Sequence, residues 1–328
     1  MEDKGLSGLC NMGNTCYLNA ALQCLSNTKL LSEFLSKNKN KKGKMMGEYN
    51  RILNGLWEEN CIIQPISFKR TLGKLDDRFD DNSQHDAQEA LFTLIDLFHT
   101  EMSFEVNIYP NGVIKNDLDK KMVESIKVWS KYFNKQYSEI LNIFYGQFYS
   151  KITCIKCKYE LNNYDPFSMI ALPITNTSKN IYDCFDDFIK HETLDSENKW
   201  KCEKCNELSE SIKEINIWKS PNILILVLKR FSYTENYSSK KINNIIDFPL
   251  FNLNLTKYVN GYDKYDSIYN IYGIIYHHGN LNFGHYTACC KNKMNNKWYL
   301  FDDENVSECK SIRIQDAYIL FYEKKYDK

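Results

Sequence analysis

The sequence predicts a mixed α/β fold, with a mainly helical N-terminal part and a mainly β C-terminal part. In roughly the first hundred residues, apolar side chains recur at helical spacing, as in CYLNAALQCL from Cys16 onward. From about residue 215 the pattern changes to continuous or alternating apolar runs bounded by polar turns, of which NILILVL is the clearest. A chain of 328 residues with 43% hydrophobic residues can bury a substantial core, so we expect a globular protein.

The charge balance argues against two classes of partner. Lysine plus arginine and aspartate plus glutamate number 42 each, so nothing points to nucleic acid or to an anionic membrane surface, and we expect a protein partner. No apolar stretch approaches the length of a membrane span, and the opening residues MEDKGLSG lack the apolar core of a signal peptide. We therefore expect a cytoplasmic or nuclear protein with no membrane attachment. In that setting the 12 cysteines are expected to be thiols, metal ligands or nucleophiles.

Cys16 opens the first predicted helix and is a candidate nucleophile. The preceding residues GNT supply a turn and a capping side chain, so unpaired backbone N–H groups and the positive end of the helix dipole are expected to surround the sulfur. Such a setting lowers the pKa of a thiol and favours the thiolate. The alternative is a small buried cysteine on a core helix, and a base elsewhere in the chain decides between the two.

A candidate base lies near the other end of the chain. His285 opens a strand-like run, and an Asn- and Lys-rich turn separates it from a second run, KWYLF, which is followed by Asp302 and Asp303. If the two runs pair as a hairpin, an acid lies beside His285 and can hold the tautomer of the imidazole and stabilise its charged form. His277 and His278 are expected to flank a loop away from this hairpin, so we leave them out of the site.

Two C-x-x-C pairs in the middle of the chain form a candidate metal site. Thiolates at positions i and i+3 can converge on one ion, and two such turns complete a tetrahedral zinc site. The pairs are separated by residues 158–201, which is longer than a compact zinc ribbon, so four reduced surface cysteines remain the alternative. The candidate ligands are Cys154, Cys157, Cys202 and Cys205.

The segment SQHDAQEALFTLIDLFHTEM predicts a helix that packs on the core. Its apolar residues form a helical stripe, and Ser83 and Asp86 have the spacing of a capping box. Asp86 and Glu89 are three residues apart and therefore neighbours on one polar face near the start of the helix. Two carboxylates at this place either compensate the helix dipole, which is the simpler interpretation, or bind a basic group of a substrate.

The remaining segments complete the predicted order. NKNKKGK is expected to be an exposed loop, EYNRILNGLWEE a helix and DKKMVESIKVWSKYFNKQY an amphipathic helix. NILILVL predicts a central buried strand, and KRFSYTENYSSKKINN a polar connection after it. DFPLFNLNL alternates as a strand does, SIYNIYGIIY leads into the run of His285, and AYILFYEKK is expected to be the last strand.

These motifs resemble those of the ubiquitin-specific proteases, a family of papain-like cysteine deubiquitinases. GLCNMGNTCYLNAALQ is similar to the family's cysteine box, and YGIIYHHGNLNFGHYTA with KWYLFDDENVS is similar to its histidine box. SQHDAQEAL, the two C-x-x-C pairs, ILILVLKRF and DFPL also match, so the resemblance covers almost the whole chain. It implies a papain-like α/β (α+β) fold in one catalytic domain, residues 1–328, with a helical thumb (about 5–140), zinc-bearing fingers (about 145–220) and a β-rich palm (about 221–328).

The resemblance implies a role for each residue of a catalytic triad. Cys16 would be the nucleophile, His285 the base and Asp302 the orienting acid. Asp303 is the reserve candidate for the orienting role, because successive residues of a strand point to opposite faces. Asn11 lies five residues before the nucleophile, where the family's residue supports the oxyanion hole; without the resemblance it is interpreted as a turn former.

The resemblance also implies a metal and a substrate. The four cysteines would hold a structural zinc ion, and no cofactor is implied for catalysis. Asp86 and Glu89 match the acidic positions that hold the arginines of the ubiquitin tail, while Gly284 and Tyr286 would line a channel that admits only its Gly-Gly end. The implied reaction is hydrolysis of the isopeptide or peptide bond at that end through a thioester acyl-enzyme.

Two other classes of function stay open at this point. One is a catalytically silent or partner-activated ubiquitin-binding module, although every expected triad residue is present. The other is a zinc-centred scaffold with a structural Cys16, which leaves the co-occurrence of Asn11, Cys16, His285 and Asp302 unexplained. We expect a monomer that acts on ubiquitin and ubiquitinated proteins, and an activating protein partner is compatible with the same sequence.

Overall fold

A computed structural model describes residues 3–38, 43–233, 239–280 and 284–326. No helix within these ranges is both long and apolar enough to cross a membrane. The helices are α1 (Cys16–Ser26), α2 (Lys29–Lys37), α3 (Lys44–Glu58), α4 (Ile66–Leu75), α5 (Ala87–Met102), α6 (Asp117–Tyr132), α7 (Glu139–Phe144) and α8 (Ile181–Phe188). The strands are β1 (Gly8–Leu9), β2 (Ile62–Ile63), β3 (Phe104–Glu105), β4 (Gln136–Tyr137), β5 (Gly146–Cys154), β6 (Glu160–Phe167), β7 (Ile170–Leu172), β8 (Glu192–Leu194), β9 (Trp200–Cys202), β10 (Glu207–Ser209), β11 (Ser211–Lys219), β12 (Ile223–Leu228), β13 (Phe231–Tyr233), β14 (Ser239–Lys241), β15 (Leu253–Asn254), β16 (Ile268–Gly279), β17 (Gly284–Lys291), β18 (Trp298–Asp302), β19 (Asn305–Glu308) and β20 (Ala317–Lys324).

The helical N-terminal part is organised around α1, which is buried at every one of its 11 residues. It packs against α5 on one side and against the strands β16 and β17 on the other. The apolar stripe of α5 faces the same core, as its spacing predicted. The sequence interpretation missed α2, because the Lys- and Asn-rich segment around it obscured an amphipathic helix that buries Leu31 and Leu35. The predicted loop NKNKKGK lies partly outside the described residues, since 39–42 are not among them.

The main sheet carries one half of the candidate site. Its order is β19-β18-β17-β16-β20-β12-β7, with β15 added beside β16, and its neighbours are antiparallel except for the pair of β12 and β7. β12 is buried at all six positions because alternate residues pack into two cores, one formed with the helical part and one formed with α8. Its burial is therefore confirmed, but its predicted central position is wrong, since only β7 separates it from the sheet edge.

A second, four-stranded sheet extends from this body and carries the candidate metal ligands. Its order is β6-β5-β11-β8, and β9 and β10 form a separate antiparallel pair. β5 and β11 pair over most of their length, which places Ser211 opposite Cys154. One C-x-x-C pair therefore begins at the last residue of β5, and the other begins at the last residue of β9.

Two predictions for the C-terminal half need correction. DFPLFNLNL contains only the two-residue strand β15, because its apolar residues, including the buried Phe248 and Leu253, anchor an irregular segment to the core. The predicted polar connection after β12 contains the strand pair β13 and β14, while residues 234–238 lie outside the described ranges. The second residue of this connection, Arg230, is 1% exposed, and its guanidinium donates to the backbone oxygens of Ile242, Asn244 and Ala317.

Candidate active site

Cys16 is the first residue of α1 and is 3% exposed. The predicted side-chain cap is absent, because the Thr15 hydroxyl accepts a hydrogen bond from the backbone N–H of Met12 (3.0 Å) instead of from the helix. The turn is held from outside by the Asn11 side-chain oxygen, which accepts from the N–H groups of Gly13 and Thr15, each at 3.1 Å. Among the described residues, no side chain therefore caps the positive end of the α1 dipole, which lies beside the Cys16 sulfur.

His285 lies on β17 and meets an acid from β18, as the hairpin interpretation predicted. The two strands pair antiparallel, and the His285 Nε2 atom is 2.6 Å from Asp302 Oδ1. With Nε2 engaged by Asp302, the ring nitrogen available to the Cys16 thiol is Nδ1. The hydrogen bonds with the Cys16 thiol and with Asp302 raise the pKa of His285 to about 9, against the effect of burial, which lowers it. The fold thus brings a nucleophile, a base and an orienting acid together from distant parts of the chain.

Asp303 lies close to His285, since the His285 ring and the carboxylates of Asp302 and Asp303 each have an atom within 4.8 Å of the others, but its hydrogen bonds go to other residues. It lies beyond the end of β18 with a left-handed backbone (φ 51°). Its Oδ2 accepts from Asn11 Nδ2 and its Oδ1 accepts from Asn19 Nδ2, both at 2.8 Å. Burial raises the pKa of Asp303, while these two hydrogen bonds oppose the rise. Asp303 therefore ties the loop before Cys16 and the helix α1 to the strand that carries Asp302.

Asn19 is a site residue that the sequence interpretation missed. It lies one turn after Cys16 on α1 and is 2% exposed. Its side-chain amide also contacts the backbone oxygens of Leu9 and Cys10, both at 3.3 Å. The available signal was a polar residue within an otherwise apolar stretch of a buried helix, because such a residue needs specific partners.

Both the oxygen and the nitrogen of the Asn11 side-chain amide form hydrogen bonds that hold the loop before Cys16. Its oxygen holds the turn described above, its Nδ2 donates to Asp303, and its backbone N–H donates to Glu304 Oε1 at 2.8 Å. Asn11 therefore acts as a turn former, as its sequence position indicates without the family resemblance. These contacts place its amide group in the loop that precedes the nucleophile.

Gln84 connects the helical part to the strand of the base. Its side-chain Nε2 donates to the backbone oxygen of Gly284 (3.0 Å), and its Oε1 accepts from the N–H of the same residue (3.2 Å). Because Gly284 directly precedes His285, this paired contact fixes the backbone beside the base. The sequence interpretation gave Gln84 no role, although it lies within the quoted motif SQHDAQEAL.

His277 and His278 lie near the end of β16, but the prediction that they lie away from the hairpin of His285 is wrong. Both lie in β16, where His278 is directly opposite His285. His277 is 2% exposed, packs its ring against Tyr286 (4.7 Å between centroids), and has its pKa lowered to about 4 mainly by burial. A Cβ atom at Gly284 would lie 2.0 Å from His277 Nε2, so the close approach of this ring requires glycine there.

The carboxylates proposed to bind the substrate tail differ in their surroundings. Asp86 is the N-cap of α5, so the predicted capping box from Ser83 is wrong. Its carboxylate accepts from the Gln88 N–H (2.8 Å) and from the Tyr318 hydroxyl (2.6 Å), and burial raises its pKa. Glu89 lies in the first turn of α5 and is exposed. Tyr286 is only 7% exposed, so little of its side chain reaches the surface.

The four cysteines of the C-x-x-C pairs form one cluster. Their sulfur atoms all lie within 4.8 Å of one another, at 3.9 Å between Cys154 and Cys205 and at 3.6 Å between Cys157 and Cys202. These separations are too long for disulfide bonds and agree with the edge of about 3.8 Å expected of a tetrahedron with Zn–S bonds near 2.3 Å. The cluster is therefore compatible with a structural zinc ion.

The chain is similar to proteins of one family. The sequence model of the family described as Ubiquitin carboxyl-terminal hydrolase matches residues 7–322. Ubiquitin carboxyl-terminal hydrolase 2 of Homo sapiens is 34% identical over 337 residues, covering 98% of this chain and 55% of the human protein. The probable ubiquitin carboxyl-terminal hydrolase R319 of Acanthamoeba polyphaga mimivirus is 28% identical over 423 residues, covering 97% of this chain and 90% of the viral protein. The chain thus spans about half the length of the mammalian relatives it matches.

A solved structure shares the fold. The SAGA Ubp8/Sgf11/Sus1/Sgf73 DUB module bound to ubiquitin aldehyde contains a chain with a TM-score of 0.76 and 29% sequence identity to this one. The match covers 99% of this chain and 70% of that chain. The mixed helix-and-sheet fold class expected from the sequence is therefore confirmed, and the cluster of four cysteines is compatible with the expected zinc-bearing part.

Proposed function

Because the chain belongs to the ubiquitin carboxyl-terminal hydrolase family, we propose that it is a thiol-dependent deubiquitinase. Its substrates would be ubiquitin conjugates, cleaved at the isopeptide or peptide bond after the C-terminal Gly-Gly of ubiquitin. The observation that carries this proposal is the juxtaposition of Cys16 at the start of α1 with the pair of His285 and Asp302. A structural scaffold needs neither a thiol at a helix start nor an imidazole held between that thiol and a carboxylate.

In the proposed reaction the Cys16 thiolate attacks the carbonyl carbon of the terminal glycine. His285, protonated by the proton of the thiol, then donates a proton to the leaving lysine amine, and a thioester to Cys16 remains. Water attacks the thioester, with His285 now acting as the base. Asp302 holds the imidazole with its Nε2 engaged, and the start of α1 with the Asn11 loop would supply donors for the oxyanion. Asp303 acts as a positioning residue, since it contacts Asn11 and Asn19.

The experiment that tests this function is turnover of a fluorogenic C-terminal ubiquitin conjugate by the purified chain, with Cys16→Ala as the inactive reference. We expect multiple turnovers without an added partner. The alternative, a silent or partner-activated ubiquitin-binding module, would bind ubiquitin with no turnover by the chain alone. A panel of defined di-ubiquitins at matched concentrations would then show which linkages are cleaved.

We also propose that Glu89 contacts an arginine of the ubiquitin tail. Its carboxylate is exposed at the start of α5, whereas that of Asp86 already caps α5 and accepts from Tyr318. Asp86 would therefore hold the start of α5 in place without contacting the tail, or would attract the tail through its charge. The backbone of Gly284 beside Gln84 would border the channel for the tail, with Tyr286 behind it.

Glu89→Lys is expected to lower kcat/KM for ubiquitin conjugates by about a hundredfold, because loss of a charge-assisted hydrogen bond and introduction of repulsion cost on the order of 3 kcal/mol. Asp96→Lys is the matched control, since Asp96 is an exposed acid on the same helix and carries no proposed contact. Alkylation of Cys16 by a small reagent should be unchanged in both variants. If Glu89→Lys keeps the wild-type kcat/KM, the Glu89 carboxylate only compensates the helix dipole and does not contact the tail. Asp86→Lys is less informative, because it also removes the α5 cap.

We propose that Cys154, Cys157, Cys202 and Cys205 hold one structural zinc ion. In each pair the residue after the second cysteine, Lys158 or Asn206, has a left-handed backbone, so both turns have the same form. The backbone N–H of Cys205 also points to the Cys202 sulfur (3.5 Å), a contact that suits a thiolate ligand. When bound, the ion would cross-link the four-stranded sheet to the pair of β9 and β10 and would take no part in the hydrolysis.

Metal analysis of protein purified without added zinc is expected to find about one equivalent per chain. Cys202→Ser should lower the free energy of unfolding by on the order of 3 kcal/mol or more, because it removes a ligand and leaves a buried site unfilled. Cys61→Ser is the matched control, since Cys61 is an exposed free thiol outside the cluster. Unchanged stability of Cys202→Ser, or metal-free wild-type protein of the same stability, would contradict a structural zinc site.

A further inference from the structure

A cavity of about 470 Å³ lies beside the candidate active site, on the side of the main sheet that carries the base. His285 and Asp302 form part of its wall, and Cys309 and Arg313 form another part. Thr287 of β17 also lines the cavity, so the face of β17 that carries residues 285 and 287 points to it. Cys289 continues the same face two residues further along the strand.

Two thiols meet at this place without a role in the proposed reaction. The Cys289 sulfur is 3.2 Å from the Cys309 sulfur, and it donates a hydrogen bond to it. Cys289 is buried at 1% exposure, whereas Cys309 is half-buried and lines the cavity. A disulfide bond of about 2 Å requires the two sulfur atoms to approach by about 1 Å and the two backbones to come closer as well, because β18 lies between β17 and the segment after β19 that carries Cys309. Formation of the bond therefore includes a movement of that segment towards β17.

We propose that Cys289 and Cys309 form an oxidation site that hydrogen peroxide converts to an intramolecular disulfide. Cys309 is the thiol that meets the oxidant, because it is the one that reaches the cavity. Cys289 is the resolving thiol, because it is in contact with Cys309 and shielded from solvent. The proposal concerns these two residues alone and does not depend on the proposed hydrolysis.

The electrostatic surroundings suit these two roles. The hydrogen bond from Cys289 and the nearby Arg313 guanidinium lower the pKa of Cys309 to about 7, although partial burial opposes the change. The hydrogen bond to Cys309 and burial raise the pKa of Cys289. The lowered pKa of Cys309 favours its thiolate, which is the form that reacts with peroxide.

The reaction balances with peroxide as the oxidant. The Cys309 thiolate attacks one oxygen of hydrogen peroxide, an S–O bond forms, the O–O bond breaks and hydroxide leaves, which gives a sulfenic acid. The Cys289 sulfur then attacks the Cys309 sulfur, an S–S bond forms and the S–O bond breaks. The leaving hydroxide takes the thiol proton of Cys289 and departs as water. One peroxide is reduced, and two thiols are oxidised to one disulfide.

The chain contains a second pair of neighbouring thiols that serves as an internal control. The sulfur atoms of Cys24 and Cys290 are 3.7 Å apart, but both residues are essentially unexposed, at 0% and 1%. Burial also raises the pKa of Cys290 well above its usual range. If proximity alone determined oxidation, both pairs would react; if access and thiolate character determine it, only Cys289 and Cys309 would react.

Peptide mapping of the full chain, purified without chelating agents, distinguishes the two pairs. After brief treatment with hydrogen peroxide, removal of peroxide by catalase and blocking of free thiols, trypsin digestion without reductant should link residues 265–291 to residues 298–310 through Cys289 and Cys309. A link from residues 265–291 to residues 5–29, assigned to Cys24 and Cys290 by fragmentation of the linked peptides, reports the second pair instead. We expect the first link in about tenfold excess or more, and its loss on addition of dithiothreitol. Equal yields of the two links, or no first link when Cys309 is oxidised, would overturn the proposal.

Two variants test the order of the steps. In Cys289→Ser the sulfenic acid of Cys309 should persist and be trapped by dimedone, because the resolving thiol is missing. In Cys309→Ser the first link should disappear, while Cys61→Ser, which replaces an exposed cysteine elsewhere, should leave its yield unchanged. Dimedone labelling of Cys289 in Cys309→Ser, without labelling of Cys309 in Cys289→Ser, would contradict the assigned roles. A disulfide between Cys289 and another cysteine in Cys309→Ser would contradict them as well.

Discussion

Cys16→Ala is expected to lower kcat/KM for a ubiquitin conjugate by about 10⁵-fold or more, because removal of the nucleophile eliminates the covalent route. Binding of ubiquitin should be hardly changed, since Cys16 is 3% exposed and the proposed tail contacts lie on α5 and beside Gly284. The smaller side chain should also fit the buried start of α1 at a cost of only about 1 kcal/mol in stability. The measurement is turnover together with equilibrium binding of ubiquitin for the same preparation.

Two controls make this result specific. Cys10→Ala removes a neighbouring half-buried thiol that has no proposed catalytic role, and it should retain turnover. His285→Ala should be about as inactive as Cys16→Ala, because groups that act as a unit are not additive. Turnover by pure Cys16→Ala near the wild-type rate would exclude Cys16 as the nucleophile.

Asp302→Ala is expected to lower kcat by about 10³-fold, because the imidazole loses the acceptor that fixes its tautomer and stabilises its charge. Asp303 is a poor substitute, since both of its carboxylate oxygens already accept hydrogen bonds from Asn11 and Asn19. The pKa of His285 should fall from its raised value of about 9, so the imidazolium would be lost at a lower pH than in the wild type. Nuclear magnetic resonance titration of the His285 ring protons measures this shift separately from the rate.

Asp303→Ala provides the contrast. It should loosen the Asn11 loop and α1 and so lower stability and activity together, with a smaller change in the pKa of His285. Asp303→Asn keeps the size of the side chain and one acceptor oxygen, and it should recover part of the loss. If Asp303→Ala lowers both the rate and the pKa of His285 more than Asp302→Ala does, the orienting role belongs to Asp303.

The parts of the fold that the sequence predicted are those encoded by local pattern. The apolar stripe of α5 reflects the burial of one face of a helix. The continuous apolar run of β12 reflects the burial of both faces of a strand. The hairpin of β17 and β18 was predicted because two apolar runs flank a turn, and it brings Asp302 to His285. The spacing within each C-x-x-C pair also predicted the convergence of four sulfur atoms.

The remaining features depend on contacts between distant segments, which local pattern does not specify. The hydrogen bonds of Asp303 to Asn11 and Asn19 join residues almost the whole length of the chain apart. The contact of Gln84 with Gly284 likewise forms only when the helical part packs on the main sheet. The capping predictions failed for local reasons. The Thr15 hydroxyl accepts from the nearby Met12 N–H instead of from the helix, and α5 begins after Asp86, which is itself the N-cap.

The central claim of the proposed function is that Cys16 is the nucleophile that reacts with the end of the ubiquitin tail. Incubation of the wild-type chain with ubiquitin that carries an electrophile at its C terminus, followed by peptide mapping, tests this claim most directly. The account predicts one covalent ubiquitin per chain, attached at Cys16, with labelling lost in Cys16→Ala and strongly slowed in His285→Ala. A covalent adduct at any other cysteine, or no adduct with a correctly folded chain that binds ubiquitin, would contradict it.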